Sequence, residues 1–105
     1  MAMIVIDEEK IKKYGKNNAQ VKEALLIWFA KVQACAWSSY AQMVGDIPST
    51  DLVKGTKSLY VFNIKGNHYR LVAQVSFLLK TVDIRRILTH TEYTKLNNEN
   101  KLDKL

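Results

Sequence analysis

A chain of 105 residues, 48% hydrophobic and 25% charged, has enough apolar content for one globular domain and too little length for a second sizeable core. Its formal charge of +6 and pI near 9.5 point to a polyanionic or acidic partner. One cysteine and two histidines argue against a disulfide scaffold or a Cys/His metal cluster, and no apolar run reaches the length of a membrane span.

The first thirteen residues run from apolar to acidic to basic, not in the basic-then-apolar order of a signal peptide, so a cytoplasmic location is expected. Met3-Ile4-Val5-Ile6 reads as an opening strand. Asp7 is placed to N-cap a helix over 8–14, with Glu8 and Glu9 at its positive end, Lys12 and Lys13 in its last turn and Gly15 as its stop. Asn17 or Asn18 then caps a second helix over 18–35. There Val21, Ala24, Leu25, Trp28, Phe29 and Val32 keep an unbroken i, i+3, i+4 stripe, which assigns the two aromatics to the core. Cys35 lies in an apolar stretch and reads as a small packed hydrophobe, and Trp37 as a core or loop anchor. Ser38 or Ser39 caps a short third helix through Val44, ended by Gly45, and Ile47-Pro48 turns the chain.

From Leu59 the apolar period changes from helical to two. A strand over 59–64, a turn at Lys65-Gly66-Asn67 with Gly66 or Asn67 at positive φ, and a second strand form a hairpin. The second strand puts Tyr69, Leu71, Ala73, Val75 and Phe77 on one face and His68, Arg70, Val72, Gln74 and Ser76 on the other. A third strand over 81–88 groups Asp83, Arg85 and Ile87 against Val82, Ile84, Arg86 and Leu88. The tail after residue 96 is polar and expected to fray. The fold class is therefore α+β: an N-terminal strand and two to three helices on one face of a mainly antiparallel sheet, as one domain over 1–96.

Charge is uneven along this layout. Residues 1–50 carry six Lys and five acids, net +1, whereas residues 51–93 carry seven Lys or Arg against three acids, net +4. Lys10, Lys12, Lys13 and Lys16 read as solubilising charge. All three arginines, Arg70, Arg85 and Arg86, fall in the second segment, which ends in Thr89-His90-Thr91-Glu92-Tyr93.

These residue types suit a phosphodiester. Cutting RNA through its own 2′-hydroxyl needs that hydroxyl deprotonated, the phosphorane charge stabilised and the 5′-oxygen protonated. Arg binds two phosphate oxygens at once, His serves either proton transfer, and Tyr stacks on a base or assists a proton. Arg70, Arg85, His90 and Tyr93 form the candidate catalytic set. Thr89 capping a short helix would put His90 and Tyr93 on one side of it. Asp83 and Glu92 read as surface charge, and two histidines without a Cys partner do not suggest a metal site.

The strings Tyr60-Val61-Phe62-Asn63-Ile64-Lys65-Gly66-Asn67, Tyr69-Arg70-Leu71-Val72-Ala73, Ile84-Arg85 and Thr89-His90-Thr91-Glu92-Tyr93 together resemble the HigB family of toxins, within the RelE-like superfamily of type II toxin–antitoxin systems. The resemblance covers most of residues 4–95. It implies a RelE-like fold and a cytoplasmic, ribosome-dependent mRNA interferase. That enzyme would cut mRNA in the 30S A site without a metal or other cofactor, leaving a cyclic or 3′-phosphate and a 5′-hydroxyl. It also implies a helix-turn-helix antitoxin, HigA, as partner, with DNA contacted only through that antitoxin. By position, Asn67, Arg70, Arg85, His90 and Tyr93 match the family's motif residues. Lys65 stands where the family often has Gly. Lys54, Lys57, Lys65, Asn67, His68 and Arg86 are the expected RNA contacts. A non-catalytic basic RNA- or ribosome-binding module on the same scaffold is the alternative.

Overall fold

The structure is a computed structural model and describes residues 2–105. Its elements in chain order are β1 (Ile4–Ile6), α1 (Glu9–Asn17), α2 (Ala19–Gln33), α3 (Tyr40–Asp46), β2 (Asp51–Leu52), β3 (Leu59–Ile64), β4 (Tyr69–Ser76), β5 (Thr81–Thr89) and α4 (His90–Asn98), followed by a 3-10 turn at Leu102–Lys104. One five-stranded sheet has the order β1-β5-β4-β3-β2. Only β1 runs parallel to its neighbour, pairing Ile4 with Thr81 and Ile6 with Asp83. The expected α+β class therefore holds, with a two-residue edge strand, β2, that has no period long enough to read from sequence.

The stripe on α2 packs as its spacing predicts. Val21, Leu25, Trp28 and Val32 are buried against Phe62, Leu71 and Ile84 of the sheet. Trp28 meets Phe62 edge to face at 5.3 Å, and its indole N–H finds no acceptor among the described residues. That orphan donor costs about 1–3 kcal/mol. Burying an aromatic of about 200 Å² contributes roughly 5 kcal/mol, which outweighs it. Trp37, also buried, gives its N–H to Asp46 at 2.8 Å. Burial pushes the Cys35 thiol above its ordinary pKa, and its Sγ donates to the Lys31 carbonyl, so it behaves as packing and not as a nucleophile.

The helix boundaries need correction at three places. Asp7 does not cap α1; it sits at φ 69°, and its carboxylate pairs with Lys10. Gly15 does not stop α1, which runs to Asn17. A Cβ at position 15 would press on Lys22 Cγ at 3.1 Å, so this glycine lets α1 and α2 approach closely. Gly45 likewise lies inside α3; the helix stops because Pro48 biases Ile47 toward extended backbone. Ser39 caps α3 by accepting from Gln42 N, and Asn18 gives its side chain to the Tyr14 carbonyl at the end of α1.

The third strand is where the expected faces fail. Val72 pairs with Arg86 but Ala73 pairs with Ile84, leaving Arg85 as the extra residue of a β-bulge. The inserted residue resets the alternation. Ile87 joins Val82 and Ile84 in the helix-side core, and Leu88 joins Val72 in a second cluster on the other face. That second face is partly covered. Val53, Leu59, Val61, Val72, Leu88 and Leu102 form its core, with Tyr93, Leu96 and Leu105 packed on them. Leu102 is 5% exposed, so the segment expected to fray is docked there by leucines.

Candidate active site

The site lies at the end of the sheet where the β3–β4 turn meets the start of α4. In that turn Lys65 and Gly66 take positive φ, at 52° and 65°, whereas Asn67 does not. Lys65 thus occupies a left-handed position that glycine adopts without strain. Its ammonium is tied to the Gln20 carbonyl at 2.9 Å, which joins the turn to α2.

Thr89-His90-Thr91-Glu92 builds the other wall. Thr89 Oγ1 accepts from Glu92 N at 3.1 Å, and Glu92 Oε1 accepts from Thr89 N at 2.9 Å. This reciprocal capping box starts α4, so Glu92 is a structural residue and not surface charge alone. The His90 N–H donates to the His68 carbonyl at 2.9 Å, which locks α4 to the turn. Thr89→Ala is expected to lower stability by about 1 kcal/mol and to disorder the first turn of α4. Thermal melts with amide exchange at residues 90–93 check this; an unchanged melt and unchanged protection would contradict it.

Arg70 sits between these walls, 7% exposed. Its Nη1 donates to the carbonyls of Asn67 at 3.0 Å and Tyr69 at 3.1 Å. Its Nη2 reaches the Asn67 side-chain oxygen and lies 3.3 Å from His90 Nδ1. The guanidinium also stands 5.2 Å over the Tyr93 ring. None of these partners is a carboxylate, and no ion pair forms with Arg70 among the described residues. A buried cation held without an anion is costly, and the missing charge is the one a phosphate supplies. One half of the fork is anchored to backbone. The other half is shared with two exposed side chains, Asn67 and His90.

A guanidinium has no lone pair to offer, so His90 Nδ1 is the acceptor in this contact and the ring proton resides on Nε2. His90 therefore presents an N–H donor from an exposed side chain. His90 and His68 line one shallow cleft of about 530 Å³ with Gln20, Lys65, Tyr69, Thr89 and Thr91. Tyr93 is half-buried, three residues along α4 from His90, with its ring over Arg70.

Asn67, His68, Arg70, His90 and Tyr93 thus converge, and Arg85 does not join them. It contacts the Gln74 side chain and Asp83, the latter at 3.6 Å. Gln74 lies four residues along β4 from Arg70, about 13 Å away at strand spacing. Arg86 is nearer, opposite Val72 and about 7 Å along the strand from Arg70's position. Lys54 and Lys57 are exposed in the β2–β3 loop, at the Gln74 end of the sheet. The register itself opens this separation: with Arg70 opposite Leu88 and Val72 opposite Arg86, Arg85 already lies beyond the reach of Arg70, and the bulge turns it further along, to Gln74.

Residues 21–96 match the HigB toxin family, described as the RelE-like toxic component of a toxin–antitoxin system. The chain is 30% identical over 97 residues to an mRNA interferase HigB of Escherichia coli O6:H1, a match covering 90% of each chain. It is 30% identical over 91 residues to the mRNA interferase toxin HigB of Escherichia coli K12 and to an mRNA interferase HigB of Shigella flexneri. Those matches cover 87% of this chain and 88% of each relative.

Proposed function

Because the chain belongs to the HigB family of RelE-like toxins, we propose that it is an endoribonuclease that cuts mRNA in the ribosomal A site. The observation that carries this reading is Arg70: a buried cation without a carboxylate, flanked by an aromatic ring and by the imidazole of His90, which lines the adjoining cleft. The printed names of its relatives as mRNA interferases support the same reading.

In the proposed reaction the 2′-oxygen attacks phosphorus, the P–O5′ bond breaks, and a 2′,3′-cyclic phosphate and a 5′-hydroxyl result. No metal is needed, because Arg70 stabilises the charge that builds on the phosphorane oxygens. His90, as the imidazolium, donates its Nε2 proton to the departing 5′-oxygen and returns to the neutral ring that accepts from Arg70. His68, the second imidazole on the cleft, is assigned the 2′-hydroxyl proton. Tyr93 holds the guanidinium from beneath and steadies it, since its ring already faces Arg70. A helix-turn-helix antitoxin of the HigA type is the proposed neutralising partner, and the cytoplasm the proposed site of action.

Mapping RNA 5′ ends after induction tests this. The expected result is growth arrest with new 5′-hydroxyl ends inside translated codons. Folded protein that neither slows growth nor makes such ends would refute an mRNA interferase and leave a non-catalytic binding module.

A further inference from the structure

The four lysines of the N-terminal region, read from sequence as solubilising charge, are not equivalent in the fold. Lys10 and Lys13 of α1 face Arg85 and Arg86 of β5 across a cleft of about 320 Å³, completed by Tyr14, Asn17, Asn18 and Ile87. β5 is open there because its parallel partner β1 ends at Ile6, opposite Asp83. The bulge at Arg85 places two arginines in succession on this free stretch. The walls thus carry four cations and no carboxylate. Lys10 is engaged by Asp7 and Arg85 by Asp83, whereas Lys13 and Arg86 have no ion-pair partner among the described residues.

The cleft neighbours the His90 cleft through one aromatic contact. Tyr14 lines it, and the Tyr14 ring meets Tyr69 edge to face at 6.2 Å. Tyr69 in turn lines the His90 cleft, where its hydroxyl accepts from Gln20 at 2.8 Å. Burial, Glu92 and Tyr69 together raise the Tyr14 pKa, so the Tyr14 hydroxyl stays protonated at physiological pH.

We propose that the α1–β5 cleft holds the backbone of the single RNA strand whose scissile phosphate lies at Arg70, with Lys13 and Arg86 as its phosphate contacts. The inference rests on the endoribonuclease reading of the Arg70 site. Cations on both walls, with the Tyr14 ring beside them, fit a groove that tracks the backbone of a single strand. The planar donor fork of Arg86 fits phosphate oxygens at its mouth.

The test is fluorescence anisotropy with a ten-nucleotide 2′-O-methyl RNA, which lacks the attacking hydroxyl and cannot be cut. Measured across salt concentrations, the double variant Lys13→Gln/Arg86→Gln should bind roughly tenfold more weakly at low salt. Its log–log salt slope should be shallower by about 1.4, at about 0.7 per lost phosphate contact. His90→Ala should keep the slope of the unmodified protein. Affinity and slope unchanged in the double variant would overturn the cleft while leaving the endoribonuclease reading intact. A double variant that loses duplex RNA or polyglutamate binding, with single-strand binding unaffected, would overturn it in favour of a ribosomal helix or an acidic polypeptide. No cleavage in cells by the unmodified protein, with the slope difference preserved, would overturn the catalytic reading and leave the groove.

Discussion

Arg70→Ala is expected to reduce cleavage by about 10³-fold or more, measured in a single-turnover assay on ribosomes carrying a defined mRNA. Two effects compete in this variant, and their sizes separate them. Structurally, the Asn67 and Tyr69 carbonyls lose their donor and Tyr93 loses its cation, together about 1–3 kcal/mol. Against that, a buried charge without an ion-pair partner is removed, which relieves the fold. A net loss of that size leaves a domain of ordinary stability folded. Chemically, removing a cation aimed at transferring phosphoryl oxygens costs about 10³–10⁵ in rate. The chemical term dominates, so activity should collapse while the melting curve shifts only modestly. Arg70→Lys sharpens the test. It keeps the charge but not the fork that grips two backbone carbonyls and Nη2's partners, so about a 10²-fold loss is expected. Either variant cutting within threefold of the unmodified protein would remove Arg70 from the mechanism.

His90→Ala should lower the cleavage rate by about 10²–10⁴-fold, the usual range for loss of a proton-transfer group. RNA affinity should persist, because the side chain is exposed and carries no core packing. His90→Gln separates proton transfer from positioning. A glutamine can accept from Arg70 through its oxygen and donate through its nitrogen, but it cannot release a proton to an alkoxide. If His90 acts as the acid, Gln is as slow as Ala, and one limb of the pH–rate profile disappears in both. Full rescue by Gln would show that hydrogen bonding to Arg70 is the whole contribution.

Much of this site was legible before the fold was known, and the reason is local. A Thr89 cap is a local signal, so the strand-to-helix junction and the pairing of His90 with Tyr93 on one helix side follow from spacing, whereas Glu92, read as surface charge, completes the capping box only in the structure. The hairpin follows from period-two alternation around Lys65-Gly66-Asn67. Arg70 belongs with His90 because β4 and β5 are consecutive antiparallel strands, and Tyr69 pairs with Thr89. Arg85 was grouped with them on the same strand logic. It falls outside because the register sets Arg70 opposite Leu88, three residues beyond Arg85, and the bulge then turns Arg85 toward Gln74.

The parts that needed three dimensions are those set by contacts between distant segments. The leucines after residue 96 look like a polar tail until Leu102 meets Val53 and Leu88 beneath the sheet. Gly15 looks like a helix stop until Lys22 is seen against it. The α1 lysines look like solvated charge until β1 ends early and brings them opposite Arg85 and Arg86. By itself the sequence determined the α+β class, the family and the local geometry of the Thr89–Tyr93 turn, because periodicity, capping and motif spacing act over a few residues. Only the tertiary structure decided which cations share a surface, because a bulge and a short edge strand redirect side chains that lie far apart along the chain.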